Sequence, residues 1–421
     1  MSARAGIEVV AIGDELLLGD TTDTNGSWLG QRLAAEGLRV TGRAVVGDDD
    51  AAIRAAVESA LGRAGAVLCC GGLGPTPDDR TRAAVAAVYG WPLELDESWL
   101  DVIRERFVRR GMTMPAINRV QAEVPRGARL LRNELGTAPG LILDGAPGLV
   151  VLLPGIPSEL RWLMEHGVIE HLRQRLAPSR GRVQKRVLRV TGIAESALAE
   201  RLADIEATLA PLTLAYLPSG ISIDLRLTSW GDQTDAEAAA ALDDAERRLS
   251  ERLGTLAWGR GDDDLAALLG QALRDRGLQV AVAESCTGGL VAKRLTDAAG
   301  ASDYVNAGVV AYSNDAKQAL LGVDAALLQA HGAVSEPVAA AMLEGIRRRT
   351  GASCAISVTG VAGPGGGTAE KPVGTVWIGA AAGDGSRVQL YRLFGTRAEI
   401  RARACQAALK QLFDLLREET S

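Results

Sequence analysis

Residues 280–290 constrain the fold of this 421-residue chain more than any other stretch. An apolar run ends at Ser285 and Cys286, and a glycine pair then opens a helical run. The pattern predicts a buried strand, a tight turn and a helix N-terminus. Such a turn would hold a nucleophile at the strand's end, beside free helix amides that suit an oxyanion. The alternative is a helix cap, because Ser and Thr are favoured at helix starts.

Composition limits the classes of protein that this chain can belong to. The length predicts two to three domains, and 47% hydrophobic residues suffice for their cores. A net charge of −6 and the absence of any Lys/Arg-rich run argue against a nucleic-acid-binding protein. No apolar stretch reaches membrane-spanning length, and residues 1–6 lack a signal-type apolar region. We therefore expect a soluble cytoplasmic protein without a membrane partner.

Cysteine and histidine usage bears on redox state and metals. Five cysteines without framework spacing predict reduced thiols. Only three histidines are present, so any metal should be a hard cation held by carboxylates.

Strand and helix patterns alternate in the first third of the chain. Strands are predicted at 7–12, 38–46 and 66–70, and helices at 26–36 and 50–61, the first capped by Thr24 or Asn25. This alternation is typical of α/β proteins with parallel sheets.

The loop at 71–81 is the chemical centre of this domain. Its glycines would let backbone amides approach a phosphate closely. Asp78 and Asp79 could hold Mg²⁺ or another hard cation that bridges phosphate oxygens. The alternative is that Asp78 caps a helix at 79–89.

Four boxes of the first domain together resemble a known family. They read GDELLLG at 13–19, GGLGPTPDD at 71–79, GTAPG at 136–140 and LPGIPSEL at 153–160. The second box looks like the signature loop of the molybdopterin-binding-like domain. In this order, and followed by the Ser285 segment, the boxes resemble the competence/damage-inducible CinA family over essentially the whole chain.

The middle of the chain predicts a small α+β unit. Residues 178–181 mark a boundary, and strands at 187–190 and 221–227 alternate with helices that end near 205 and at 253. Residues 258–264 mark the second boundary. The segment is similar to the KH-like insert of CinA proteins, but its charges are interleaved. We therefore expect a packing or dimer role and no nucleic-acid partner.

The last domain contains a candidate base for the nucleophile. A strand at 307–312 precedes Ser313, a natural N-cap, and Lys317 follows within the first helical turn. A cation near the positive end of a helix is disfavoured, so the pKa of Lys317 should be lowered. Such a lysine could accept the proton of a serine, and Tyr312 could join the network. The alternative is an ordinary exposed lysine.

A glycine-rich loop follows the strand at 354–358. Residues 359–367 could wrap backbone amides around a phosphate or carboxamide, or could form a loop without a ligand. Arg397 or Arg401 could clamp a phosphate, or could be surface charge.

The resemblance implies domains at 1–175 (molybdopterin-binding-like, α/β), 176–257 (KH-like, α+β) and 258–421 (α/β), in a chain of the α/β class. The last is similar to nicotinamide mononucleotide amidohydrolases, whose catalytic serine, tyrosine and lysine fall on Ser285, Tyr312 and Lys317. The resemblance also implies substrate-binding residues in this domain, namely Glu284, Thr287, Gly288, Thr359, Gly360, Arg397 and Arg401. For the first domain it implies metal ligands Asp78 and Asp79 and nucleotide-binding residues Asp14, Glu15, Asn25, Gly72, Gly74 and Thr76.

The expected function is therefore bifunctional pyridine-nucleotide recycling by a homodimer. The last domain would deamidate nicotinamide mononucleotide without a cofactor. The first would hydrolyse ADP-ribose with Mg²⁺, Mn²⁺ or Co²⁺. The alternative is a binding or sensory protein with a molybdopterin-type nucleotide in its first domain.

Overall fold

The first apolar run forms strand β1 (Ile7–Ile12), and helices cover both of its faces. Ile7 and Val9 pack with Leu29 on one side, whereas Val10 and Ile12 pack with Ile53 on the other. A strand buried on both faces is apolar at almost every position, and the exception in β1 is Glu8, a buried carboxylate that pairs with Arg63 at 2.6 Å. The computed structural model describes residues 6–176 and 181–418.

The first domain is a sheet between two helical layers. Its further elements are α1 (Asp14–Leu18), α2 (Thr24–Ala34), β2 (Val40–Val46), α3 (Asp50–Ala64), β3 (Ala66–Cys70), α4 (Thr81–Tyr89), β4 (Leu93–Leu95), α5 (Glu97–Arg109), β5 (Glu123–Pro125), β6 (Arg129–Leu131), β7 (Gly140–Gly145), β8 (Gly148–Leu153), α6 (Pro157–Leu163) and α7 (Ile169–Arg175).

The strand order of the main sheet is β2-β1-β3-β8-β7-β6, and β4 pairs with β5 in a separate ribbon. The first four strands are parallel, whereas β7 runs antiparallel to both of its neighbours, β8 and β6. The predicted parallel sheet is therefore right only for its first four strands. The cap of α2 is also corrected, because the Asp23 side chain accepts the Gly26 N–H.

The middle segment contains β9 (Gln184–Val190), α8 (Glu195–Glu206), β10 (Thr213–Pro218), β11 (Ile223–Ser229), α9 (Asp235–Leu253) and β12 (Ala257–Arg260). The sheet order is β10-β11-β9-β12, and the sequence analysis missed β10. Strand β12 pairs with β9, although Trp258 within it packs into the core of the following domain. Of the boundary predicted at 178–181, all but Gly181 lies outside the described residues.

The last domain is again a sheet between helices. Its elements are α10 (Leu265–Asp275), β13 (Val280–Glu284), α11 (Leu290–Thr296), β14 (Val305–Val310), α12 (Asn314–Leu321), α13 (Ala325–His331), α14 (Glu336–Thr350), β15 (Cys354–Gly360), β16 (Thr375–Ala382), β17 (Gly385–Arg392) and α15 (Arg397–Glu418). The order is β14-β13-β15-β16-β17, with β14, β13 and β15 parallel. Along β13, valines face α10, α11 and α15, and alanines face α14.

By its internal contacts the chain divides into two compact units. One contains the residues up to Gln184 together with Ser229–Ala239, and the other contains Lys185–Thr228 and the chain from Ala240 onward. Across 6–176 and 181–418, no helix is both long and apolar enough to cross a membrane. All five cysteines are free and buried.

Candidate active sites

The candidate nucleophile Ser285 lies directly after β13 and contacts Lys317. The Nζ atom of Lys317 is 3.0 Å from the Ser285 Oγ. Strands β13 and β14 end level with each other, which brings the start of α12 to the serine. The Ser313 hydroxyl caps that helix by accepting the Ala316 N–H, as its sequence position predicts. Two parallel strands and a capped helix therefore build the pair.

Lys317 is 1% exposed and, within the described ranges, forms no salt bridge. Among the described residues, its Nζ hydrogen-bonds only to Ser285 and to two backbone carbonyls, Ala311 at 2.9 Å and Tyr312 at 3.2 Å. Burial lowers the pKa of the Lys317 ammonium below its ordinary value. A neutral amine in this place can donate to both carbonyls and accept the serine proton. The alternative of an exposed lysine is wrong.

Cys286 does not compete as a nucleophile. Cys286 lies close to a helix N-terminus, which by itself would lower the pKa of its thiol, but burial raises that pKa to about 12. The thiol therefore stays protonated at neutral pH, and a protonated thiol is a poor nucleophile.

Glu284 fills the helix N-terminus that was expected to bind substrate. Its carboxylate, 1% exposed, accepts N–H bonds from Gly289 at 3.0 Å, Val291 at 3.1 Å and Ala292 at 2.9 Å. These amides are therefore occupied, and Glu284 is a helix cap rather than a substrate contact. The alternative of a Ser or Thr cap is therefore wrong in the residue, because the side chain of Glu284, and neither that of a Ser nor that of a Thr, accepts the first amides of α11.

Two other amides of the turn remain free. In the part of the chain that the structure describes, the N–H groups of Cys286 and Thr287 donate to no other group. The Thr287 hydroxyl is buried and has no hydrogen-bond partner there either. These three donors lie within two residues of Ser285, so an oxyanion site at this turn would use them.

Arg401 and Arg397 differ in their partners. Both Nε and Nη2 of Arg401 donate to the Thr287 carbonyl, at 3.2 and 2.7 Å, so this arginine braces the turn beside Gly288. Arg397 is exposed and donates to the Gly363 carbonyl at 2.8 Å and to the Tyr312 hydroxyl at 2.9 Å. Of the two, Arg397 is the better placed to meet a phosphate.

Tyr312 does not connect Ser285 to Lys317. Its side chain is 58% exposed and bonds Arg397, whereas the serine–lysine contact is direct. The predicted proton relay through Tyr312 is therefore not needed. Thr359 donates to the Ala333 carbonyl at 2.8 Å, and a side chain at Gly360 would clash with Val376. The side-chain positions of Thr359 and Gly360 are thus used inside the fold.

The second candidate site is a cleft of about 400 Å³ in the first domain, at the carboxyl ends of β1, β3 and β8. Among the predicted residues, Glu15, Gly72, Gly74, Asp78 and Asp79 line it. Ligands bind at such strand ends in open α/β sheets. Asp14, Asn25 and Thr76 lie outside the lining. The backbone N–H of Asp14 donates to the Asp48 carboxylate, and the backbone N–H of Asp48 donates to the Asp14 carboxylate. The Asn25 Nδ2 donates to the Gly155 carbonyl at 2.7 Å.

Asp79 braces the glycine loop. Its Oδ1 accepts the Gly74 N–H at 2.7 Å, and its Oδ2 accepts the Thr76 N–H at 2.8 Å and hydroxyl at 2.5 Å. Asp78 is exposed, and a hydrogen bond from Thr76 lowers the pKa of its carboxyl. Helix α4 begins at Thr81 without a side-chain cap, so the alternative role of Asp78 as a cap is wrong.

Asp78, Glu15 and Asp48 line the cleft together. The pKa of the Asp48 carboxyl is raised, mainly by burial and to a smaller extent by the neighbouring carboxylates. Within the described residues, no three His, Cys, Asp or Glu side chains form a ready ligand cluster. Mg²⁺ usually binds through one or two carboxylates and completes its shell with substrate phosphates and water. The donors present therefore fit a hard cation that binds together with a phosphate-containing ligand.

Four polar residues of this cleft escaped the sequence analysis. Asp48, Gln121, Thr137 and Glu159 line it, and none was assigned a role. Thr137 belongs to the GTAPG box and Glu159 to the LPGIPSEL box, so their motifs were usable signals. Asp48 and Gln121 lie in no such box.

Comparison with known proteins places these sites in a family. Three domain families match in order: a probable molybdopterin binding domain at 8–174, a damage-inducible protein CinA KH domain at 185–259 and the CinA C-terminal domain at 262–416. A CinA-like protein of Gemmatimonas aurantiaca is 47% identical over 408 residues, covering 96% of this chain and 95% of its own length. A CinA-like protein of Anaeromyxobacter dehalogenans is 42% identical, covering 96% and 98%.

One solved structure of similar sequence is a competence/damage inducible protein of Agrobacterium tumefaciens. It is 45% identical, with a TM-score of 0.35, and covers 36% of this chain and 93% of its own. The three domain matches and the full-length identities agree, and the chain belongs to the CinA family.

Proposed function

We propose that the last domain is a serine amidohydrolase that deamidates nicotinamide mononucleotide. The observation that carries this proposal is the contact between the Ser285 hydroxyl and the buried amine of Lys317. A protein that only binds a nucleotide has no need of a buried lysine with a lowered pKa beside a serine. The choice of nicotinamide mononucleotide rests on the resemblance of the motifs.

In the proposed reaction, the Ser285 Oγ attacks the carboxamide carbon and its proton passes to the Lys317 Nζ. The amides of Cys286 and Thr287 stabilise the oxyanion. The C–N bond then breaks, Lys317 returns the proton to the leaving nitrogen, and ammonia departs from an acyl-serine. Water hydrolyses this ester with Lys317 as base, which releases nicotinate mononucleotide and restores the serine.

Substrate selection would depend on the arginine at the edge of the site. The Arg397 guanidinium is exposed beside Tyr312, and such a fork binds a phosphate in two places. The phosphate of a mononucleotide is the group that this arginine would recognise.

For the first domain we propose metal-dependent hydrolysis of ADP-ribose to AMP and ribose 5-phosphate. A divalent cation held by Asp78, with Glu15 and Asp48 nearby, would neutralise diphosphate charge. The glycine loop braced by Asp79 would present its amides to the phosphates.

The test compares two variants of the full-length protein, Ser285→Ala and Lys317→Met, by ammonia release from nicotinamide mononucleotide. Methionine keeps most of the lysine volume, so the fold should persist. Each variant should lose about three to six orders of magnitude in kcat, as when one member of a catalytic set is removed. ADP-ribose hydrolysis by the same preparations reports folding.

Lys293→Ala is the matched control, because Lys293 is exposed and, within residues 6–176 and 181–418, forms an ion pair only with Asp297. It should deamidate like the parent protein. A parent protein that releases no ammonia, or a fully active Ser285→Ala variant, would refute the proposed amidohydrolase.

A further inference from the structure

Glu159 is a buried carboxylate in the wall of the first cleft. It lies in the first turn of α6, is 7% exposed, and lines the cleft together with Gly72 and Asp78. Its carboxylate also fills the space beside Gly136, where a side chain at position 136 would clash with it. The LPGIPSEL box thus places an acid where the ligand of the glycine loop would lie.

The hydrogen bonds around Asn133 fix which oxygen of Glu159 is free. Asn133 is fully buried, and its Oδ1 accepts N–H bonds from Leu135 at 3.0 Å and Gly136 at 3.1 Å. Its Nδ2 donates to the Ala138 carbonyl at 2.7 Å and to the Glu159 Oε2 at 2.6 Å. Because all these bonds require the amide nitrogen to face Glu159, Oε2 is an acceptor. Among the described residues no group donates to Oε1, so Oε1 is the oxygen left available to take up a proton.

The charges facing Glu159 do not neutralise it. In the described part of the chain Glu159 makes no salt bridge. Its one cationic neighbour there, Arg106 of α5, donates to the carbonyls of Asn133 and Gly136 and pairs with Glu134 at 3.5 Å. Acidic side chains share the cleft, namely Glu15, Asp48, Asp78 and Asp79. Burial raises the pKa of the Glu159 carboxyl above its ordinary value, although the Asn133 bond and Arg106 oppose this.

A purely structural role does not require this acid. A glutamine could accept the same Asn133 bond through its carbonyl oxygen without the desolvation cost of a buried carboxylate. A titratable group with a raised pKa in a cleft is typical of acid–base catalysis. Of the other acids, Asp79 holds the loop and the pKa of Asp78 is lowered. The pKa of Asp48 is also raised, but its Oδ2 is held by the Asp14 N–H at 3.0 Å.

We propose that Glu159 is the general base of the first site, through its Oε1 atom. This role rests on the proposed hydrolysis of ADP-ribose. Oε1 accepts a proton from the attacking water as the water oxygen bonds to phosphorus. The bond between that phosphorus and the bridging oxygen breaks. The leaving group is the other phosphate monoester, which keeps the bridging oxygen. Glu159 then releases its proton to solvent.

The experiment measures ADP-ribose hydrolysis with Mg²⁺ by the full-length parent protein and by Glu159→Gln, across pH. The parent rate should rise tenfold per pH unit through the raised pKa of Glu159 and then level off. Glu159→Gln should keep the Asn133 bond, lose about 10²- to 10⁴-fold in kcat and lose this limb. Glu58→Gln is the control, because Glu58 is an exposed acid of α3 outside the cleft lining.

Deamidation by the same samples and their melting temperatures report the fold. If Glu159→Gln is unstable, Glu159→Asp replaces it, and a carboxylate base then predicts reduced activity with the pH limb retained. If Glu159→Gln keeps parent-like activity and the rising part of the pH profile, the role of Glu159 is refuted but the proposed activity is not. A fully active Glu159→Asp variant whose pH profile lacks the rising part would refute the same role. A parent protein that does not hydrolyse ADP-ribose would overturn the proposed first activity and this role with it.

Discussion

Replacing Glu284 tests whether a carboxylate cap holds the nucleophile's turn. In Glu284→Gln, an oxygen in place of Oε2 can keep the bonds from Gly289 and Val291. The amide NH₂ would then face the Ala292 N–H, so one charge-assisted bond becomes a repulsive contact. The loss of such a bond costs about 1.5–3 kcal/mol. Glu284→Ala leaves three amides without an acceptor. Because water can reach the half-buried ones, we expect a loss of about 3–5 kcal/mol in the free energy of unfolding.

The assay is thermal unfolding followed in parallel with deamidation. For a unit of this size, about 1.5–3 kcal/mol lowers Tm by roughly 3 to 12 °C. Deamidation should fall as well, because the displaced turn carries Ser285 and its free amides. Glu336→Gln is the control: Glu336 is also in the first turn of a helix but is exposed, so its Tm should stay within about 2 °C. A Glu284→Gln variant with the parent Tm would refute the capping role.

Three further predictions concern the two sites. Because burial lowers the pKa of Lys317 and the neutral amine is the active form, log kcat/KM for deamidation should rise with pH through a pKa below 10.5; a limb centred at or above that value contradicts the assignment. Cys286→Ala should retain most deamidation, since burial keeps the thiol protonated; its inactivity, beside an active Ser285→Ala, would reverse the choice of nucleophile. Chelation should abolish ADP-ribose hydrolysis and spare deamidation, and hydrolysis in excess chelator would exclude the cation. Asp79→Asn should lower both the activity and the stability of the first domain, whereas Asp78→Asn should lower only the affinity for the cation.

Strands and helices were predictable wherever their apolar pattern is local. Strand β1 and strand β3 lie where the apolar runs predict them, because a strand covered on both faces is built almost entirely from apolar residues. Strand β10, by contrast, is half exposed and was missed. The reversed direction of β7, which makes its pairings with β8 and β6 antiparallel, also had no local signal, since strand direction depends on how the chain returns to the sheet.

The sequence by itself also determined that Ser285 and Lys317 meet. A nucleophile after one parallel strand and a lysine in the helix after its neighbour must lie at the same sheet edge. Local patterns specify such placements because strand ends and helix starts are set by neighbouring residues.

Only the tertiary structure decided which of the polar groups near each site remain free. Glu284, Asp79 and Arg401 each have the chemistry to bind a ligand, yet each is occupied by backbone groups of its own fold. The carbonyl that occupies Arg401 lies 114 residues away in the chain, and the amide that fixes Glu159 lies 26 residues away. A polar side chain has few hydrogen-bonding positions, and distant segments brought together by folding fill them first. The role of such a residue is therefore set by its partners in space, which no local pattern contains.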